Sequence, residues 1–123
     1  MVSKATDRKG FEMALSSEDR YRAEMFINWN RQFNKAELAK TSKFSERIDW
    51  LDGVLDALDS AELAFEYCDT LQEYVDELKT LYKNDLNSYK ELRRTTNRKD
   101  MHYYHGSENT FKSLISHVEL WLI

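Results

Sequence analysis

Asp100, His102, His105 and Glu108 bring four side chains of metal-ligand type into a nine-residue stretch. Imidazoles three residues apart on a helix can reach one ion. Acid and histidine ligands of metal sites come more often from separate elements, however, and the spacing matches no pattern such as H-E-x-x-H. His117 stands apart from the group. No metal and no cofactor are therefore expected. Cys68 is the single thiol and lies inside an apolar ladder, where a thiol packs as a small hydrophobe and burial raises its pKa. With no glycine-rich phosphate loop either, no catalytic residue is expected, and a metal-dependent hydrolase is the minor alternative to a chain that is not an enzyme.

Glu73-x-x-Asp76 resembles a fragment of the carboxylate motifs of all-helical nucleotide pyrophosphohydrolases. Its companion E-x-x-E on a neighbouring helix is missing, so that activity is not implied. The two carboxylates instead belong to a longer row: Glu46, Asp49, Asp52, Asp56, Asp59, Glu62, Glu66, Asp69, Glu73 and Asp76 follow one another at steps of three or four. Residues 44 to 78 hold eleven acids and one base, while residues 1 to 43 and 79 to 99 are net basic, so the chain is a dipole with an acidic centre. At about 100° per residue the whole row cannot be one straight stripe, but Glu62, Glu66, Asp69, Glu73 and Asp76 drift by only about 40° and would share one face of a continuous helix.

Three roles compete for that face. It is a solvated surface, it pairs with the chain's own basic segments, or it docks on a basic protein partner, which includes mimicry of nucleic-acid phosphates. At one acid per roughly 5 Å the row is sparser than the phosphates of a single DNA strand, so a mimic would need a second acidic row. The docking role is the expectation taken forward: a non-catalytic interaction protein, in the character of a phage or mobile-element inhibitor of a nucleic-acid-handling enzyme. The alternative is a nucleic-acid-binding accessory protein. In it Arg93, Arg94, Arg98 and Lys99 would hold phosphates while Tyr103 and Tyr104 stack on bases. The plainer reading of that segment is that its cations complement a helix C-terminus and its rings cover the end of the core.

The elements that must position these groups are helices. Proline is absent and glycine stands only at Gly10, Gly53 and Gly106, too few breakers for an all-β fold. Ser16 with Asp19 caps a first helix reaching about Leu38, whose apolar side is Tyr21, Met25, Phe26, Trp29 and Phe33. A second runs from about Ser42 to Leu58 on Phe44, Ile48, Leu51, Leu55 and Leu58. Asp59 and Glu62 stand at capping-box spacing, so the chain breaks there or continues. From Ala61 to Leu92 the ladder Phe65, Cys68, Leu71, Val75, Leu78, Tyr82, Leu86, Tyr89 and Leu92 reads as one long helix of about 45 Å, in need of sheathing by a second copy. Residues 95 to 106 lose periodicity and read as a loop. Ser107 then caps a last helix with Phe111, Leu114, Ile115, Val118, Trp121 and Leu122 on one face.

The fold class expected is all-α, a small bundle of about four helices with one long central helix or helical hairpin. Residues 1 to 15 read as a flexible tail and 16 to 123 as a single domain. Its 123 residues, 41% hydrophobic with sixteen aromatic rings, suffice for one core despite a mean hydropathy of -0.73. One cysteine allows no internal disulfide, and no apolar run approaches the roughly 20 residues that span a bilayer. The chain is accordingly expected to be cytoplasmic, without a membrane, and a homodimer through the long helix.

Overall fold

The computed structural model describes residues 16–122; the expected tail, residues 1–15, lies outside them. Among the described residues four helices follow one another: α1 Ser17–Lys40, α2 Glu46–Leu63, α3 Leu71–Leu92 and α4 Arg98–Glu119. Short 3-10 turns, Ala64–Glu66 and Leu120–Leu122, extend α2 and α4. Each helix starts on a side chain that accepts an otherwise unpaired backbone N–H. Ser16 takes that of Asp19 at 3.0 Å, Ser45 that of Arg47 at 3.2 Å, Thr70 that of Glu73 at 3.1 Å and Asn97 that of Asp100 at 3.2 Å. The all-α bundle follows as the sequence predicts, and the first cap falls on the predicted residue.

Helix α2 starts at Glu46 and not near Ser42, which leaves Phe44, expected on its apolar face, ahead of the helix and exposed. Two larger boundaries also differ from the expectation. The long helix from Ala61 to Leu92 does not exist, because the chain breaks between the 3-10 turn and Leu71. The cause is the capping box Thr70-x-x-Glu73, whose threonine also donates its hydroxyl to the Glu73 carboxylate at 3.4 Å. Asp59 and Glu62, at the same spacing, lie within uninterrupted α2. At 22 residues α3 is about 33 Å long, and Phe65, Cys68, Leu71, Val75 and Leu78 are buried within the chain's own core, so this seam needs no second copy. Tyr74 braces the break: its hydroxyl donates to the Ala61 carbonyl at 2.9 Å and its ring stacks on Phe65 at 4.6 Å. The second correction concerns residues 98 to 106, which are helical and not a loop. Asn97 caps them, and Ser107 sits mid-helix.

Gly106 ends no helix; it is a crossing point. A Cβ on Gly53 would stand 1.9 Å from the Tyr103 carbonyl oxygen, and one on Gly106 would stand 2.1 Å from that of Trp50. The backbones of α2 and α4 thus touch, each helix presenting a glycine to the other. The next residue, Ser107, faces the opposite neighbour and donates its hydroxyl to the half-buried Asp85 of α3. Beyond this waist Phe111, Leu114, Ile115 and Val118 fill the space between α2 and α3, as the last helix's apolar face predicts. Helix α1 packs on α2 along a narrow line of buried Ala23, Ile27 and Asn34.

Substituting Ala for Gly53 or Gly106 tests the crossing. Alanine gains about 0.8–1.0 kcal/mol of helix propensity, but overpacking costs about 1–3 kcal/mol, and the obstacle here is backbone that cannot rotate away. We expect each variant to unfold at lower urea, with the double variant losing less than the two single losses combined, since one wedge already parts the helices. A variant as stable as its parent would contradict the contact.

Burial raises the Asp85 carboxyl above the ordinary 3.8, opposed by the Ser107 hydroxyl. A raised carboxyl pKa means that the folded state holds the proton more tightly than the unfolded one, so charging Asp85 costs stability as pH rises through that window. Asp85→Asn keeps an acceptor for Ser107 and removes the charge. We expect it to stabilise the protein at neutral pH, with the gain shrinking as pH falls towards 3.8 in paired urea titrations. An equal difference at both ends would show that the charge is not the cause.

Candidate interaction surface

The aromatic side of α1 is where structure and sequence pattern part most sharply. Tyr21, Met25, Trp29 and Phe33, expected to face the core, are 61%, 54%, 68% and 52% exposed. Their spacing explains it. Strict steps of four advance by about 40° each beyond a full turn, so the line winds 120° round α1 between Tyr21 and Phe33 and cannot follow a straight contact. Helix α2, whose apolar positions mix steps of three and four, has no such drift. The contact line of α1 is taken instead by Ala23 and Ile27, and by two asparagines that bond back to their own helix, Asn30 to the Phe26 carbonyl at 2.8 Å and Asn34 to that of Asn30 at 2.7 Å. Phe26 is half-buried and is the one member of the expected face that packs inwards.

Between this stripe and α4 runs an open groove of about 410 Å³. Phe26, Trp50, Val54 and Leu58 form its floor, Trp29 and Phe33 one wall, and Asn109, Thr110 and Ser113 the other. The Trp29 and Phe33 rings lie nearly parallel with centroids 5.9 Å apart. Past Trp29 the groove continues along Met25 to His117, whose ring meets that of Phe26 at 4.5 Å. No acid among the described residues lines it. Arg47 lies over the Trp50 ring at 5.5 Å.

The predicted acidic face does not form as one surface. Glu62 belongs to α2, Glu66 to the 3-10 turn, Asp69 to the connection, and Glu73 and Asp76 to α3, so the break divides the row. Glu62 and Asp59 share Arg31, at 3.3 and 3.0 Å, and that arginine is 17% exposed. Glu73 closes the capping box of α3, its backbone N–H donating to the Thr70 hydroxyl at 3.1 Å, and Asp76 accepts from Gln72 at 2.9 Å. Higher on α2 the Asp52 carboxyl is raised by burial and then by its neighbours Asp49 and Asp56, against the pull of Lys99. Part of the acidic centre is therefore answered within the chain.

The basic segment is likewise engaged. Arg93 caps α3 and lies over the Tyr89 ring at 5.6 Å, Arg98 meets Glu46 at 3.4 Å, and Lys99 attends Asp52. Tyr103 donates its hydroxyl to Asp56 at 2.6 Å, and its phenol pKa is pushed up by burial and by that carboxylate. Tyr104 meets it edge-on at 5.2 Å. Arg94 is exposed, beside Lys90 and Arg93 in an open polar cleft of about 420 Å³.

Asp100, His102, His105 and Glu108 share α4 without converging. Asp100 is held by the Asn97 cap, His102 Nε2 lies 3.2 Å from Glu46 out of line for a hydrogen bond, and His105 stacks on Tyr89 at 4.5 Å. Among the described residues no three groups of metal-ligand type gather. Burial, then Glu77, Glu73 and Asp69, push the Cys68 thiol up to about 11, which holds it as the unreactive thiol. No helix of the described residues is long and apolar enough to cross a membrane. The chain matches no protein-family model, no curated protein and no solved structure.

The stripe is visible in the sequence, and the unbroken four-residue step of Tyr21, Met25, Trp29 and Phe33 is the signal that it winds off the contact line. The separation is measurable. Ile27→Ala is expected to cost about 2–5 kcal/mol of stability, as large-to-small core changes do, whereas Trp29→Ala and Phe33→Ala should stay within about 0.5 kcal/mol, as exposed sites do. Equal losses at the three positions in urea melts would place the stripe in the core after all.

Proposed function

We propose that this chain is a non-catalytic helical protein that works by binding protein, with the outer face of α1 as its docking surface. The observation that carries the reading is the set of four large apolar side chains, each more than half exposed, on consecutive turns of one helix. Soluble proteins seldom leave a contiguous apolar patch of several hundred Å² without a binding role, and aromatic and methionine side chains are those that dominate protein interfaces. The absence of acids from the adjoining groove supports it, since charge is depleted where interfaces are driest. The engaged residues elsewhere support the non-catalytic part: the thiol is buried, and the candidate acids and histidines serve caps, ion pairs and ring contacts.

The acidic surface of α2 and the α2–α3 turn enters this reading as a steering field. Exposed Asp52, Asp56, Glu66 and Asp76 would speed the approach of a partner with a basic surface, in keeping with an inhibitor of a nucleic-acid-handling enzyme, while the apolar stripe would hold it. Direct nucleic-acid binding through the basic segment has less behind it, because Arg98 and Tyr103 already serve carboxylates of α2.

A photo-crosslinking amino acid in place of Trp29, compared in cells with one in place of the exposed Asn87 of α3, tests the docking face. Protein adducts from position 29 and none from 87 are the expected result. Adducts from 87 alone, or from neither, would overturn the assignment.

A further inference from the structure

We infer that one end of the bundle, where loops 41–45 and 93–97 lie, binds single-stranded nucleic acid, with Lys90, Arg93 and Arg94 on its phosphates and Phe44 stacked on a base. This end lies apart from the α1 stripe and does not rest on the docking reading. Nor is it the segment 93–104 suggested by the sequence, since Arg98 and Tyr103 are held by carboxylates of α2 and stay outside it.

Folding turns the charge separation along the chain into a separation of ends. The Arg98–Glu46 pair at 3.4 Å sets the start of α4 beside the start of α2, and the Tyr89–His105 stack at 4.5 Å sets the end of α3 beside the first half of α4. Loops 41–45 and 93–97 therefore share one end. Residues 40–47 and 90–99, which build it, hold eight cations against Glu46 and Glu91. Residues 59–77, round the opposite end, hold seven acids and no base. A polyanion approaching this field is drawn to the basic end and repelled from the other.

Helix stability does not account for these cations. Helix dipoles favour cations at C-termini and anions at N-termini. Lys90, Arg93 and Arg94 at the end of α3 obey that rule, but Arg47 in the first turn of α2 and Arg98 and Lys99 in that of α4 run against it. Internal pairing does not account for them either. Among the described residues no carboxylate pairs with Lys43, Arg47, Lys90, Arg93 or Arg94, and the last three line the open cleft of about 420 Å³ with no acid beside them. The Tyr89 ring, 5.6 Å from the Arg93 guanidinium, steadies one wall of that cleft.

Phe44 supplies what phosphate contacts lack. At 87% exposed it is the most exposed large apolar side chain among the described residues, and the Lys43 ammonium lies 5.3 Å from its ring. A ring held in water among cations suits an unpaired base, which stacks on the ring while the cations take the backbone. Bases in a duplex are stacked on one another and offer no free face, so the site is assigned to a single strand. An anionic membrane is the rival polyanion. A basic patch anchors stably there only with an acyl chain's worth of apolar burial beside it, and one ring among Thr41, Ser42, Ser45, Thr95 and Thr96 falls short of that.

Fluorescence anisotropy of the full chain with a labelled, mixed-sequence single strand of about 20 nucleotides, longer than the roughly 4–16 that comparable surfaces cover, is the test. The expected result is binding at about 50 mM salt that weakens as salt rises, each phosphate contact adding about 0.7 to the slope of log affinity on log salt. Changing Lys90, Arg93 and Arg94 together to Gln should weaken binding at least tenfold and lower that slope by about two. Phe44→Ala should weaken it about fivefold or more and leave the slope unchanged, because stacking is lost and charge is not. Both variants alter exposed side chains, and their urea melts should match the parent's. No binding at about 50 mM salt, binding indifferent to either variant, or a duplex bound as tightly as the strand overturns the inference. Co-sedimentation with vesicles of phosphatidylserine and phosphatidylcholine, without binding of the strand, overturns it in favour of a membrane. Crosslinking from position 29 does not depend on any of these outcomes, so the docking face stands or falls separately.

Discussion

Backbone contact between α2 and α4 at Gly53 and Gly106 sets the geometry from which the other packing follows. With room for no Cβ on either side, the two helices lie as close as helices can, and α4 becomes the central element. Ser107 sits one residue on and turns towards α3, so a Gly-Ser pair lets both neighbours approach the same short stretch of α4. The close approach also lays Tyr103 against Asp56 and His102 beside Glu46, polar contacts that tie the N-terminal half of α4 along the acidic helix. With α4 covering one side of α2, α1 is left a narrow seat on the remainder. A small contact line of Ala23, Ile27 and Asn34 is what such a seat accommodates.

The helical class, the first cap and the buried face of the last helix were legible because each rests on a local signal: few breakers, a serine with an acid three residues on, and an apolar stripe at mixed steps. The misreadings share a different cause. Gly106 reads locally as a helix end, since glycine is poor in helix interiors, and only the partner helix reveals why it is tolerated at mid-helix. Residues 98 to 105 look aperiodic because they meet two helices at once, His105 stacking on Tyr89 of α3 while Tyr103 reaches Asp56 of α2, and two contact faces blur a single-face pattern. The choice between Asp59-x-x-Glu62 and Thr70-x-x-Glu73 as the break could not be made from spacing. It depends on Tyr74 taking up the Ala61 carbonyl and on Phe65 finding a ring to stack on, contacts that only the folded turn supplies.

Charge in this protein works on two levels. Arg31 answers Asp59 and Glu62, Arg98 answers Glu46 and Lys99 attends Asp52, so the basic segments that look like a separate site in the sequence spend much of their charge on the acidic centre. Exposed pairs of this kind contribute little stability each, about 0–1 kcal/mol. Their effect is to bring segments far apart in the chain to a common register. The carboxylates left over lie on the outer side of α2 and round the α2–α3 turn, away from the acid-free groove beside α1. The groove beside α1 is thus kept apart from these carboxylates, although exposed Leu63 and Tyr67 stand among them at the α2–α3 turn.

The proposed docking face can coexist with a stable fold. The core that α2, α3 and α4 share contains none of the stripe residues, and α1 is seated by residues that the stripe does not include. Tyr21, Met25, Trp29 and Phe33 thus contribute little to folding, and their identities are free of the constraint that fixes Gly53, Gly106 or Leu114. Solubility alone would favour polar residues at four such positions. Apolar residues at all four, on successive turns of a helix whose fold does not depend on them, are what selection for contact with another surface would leave.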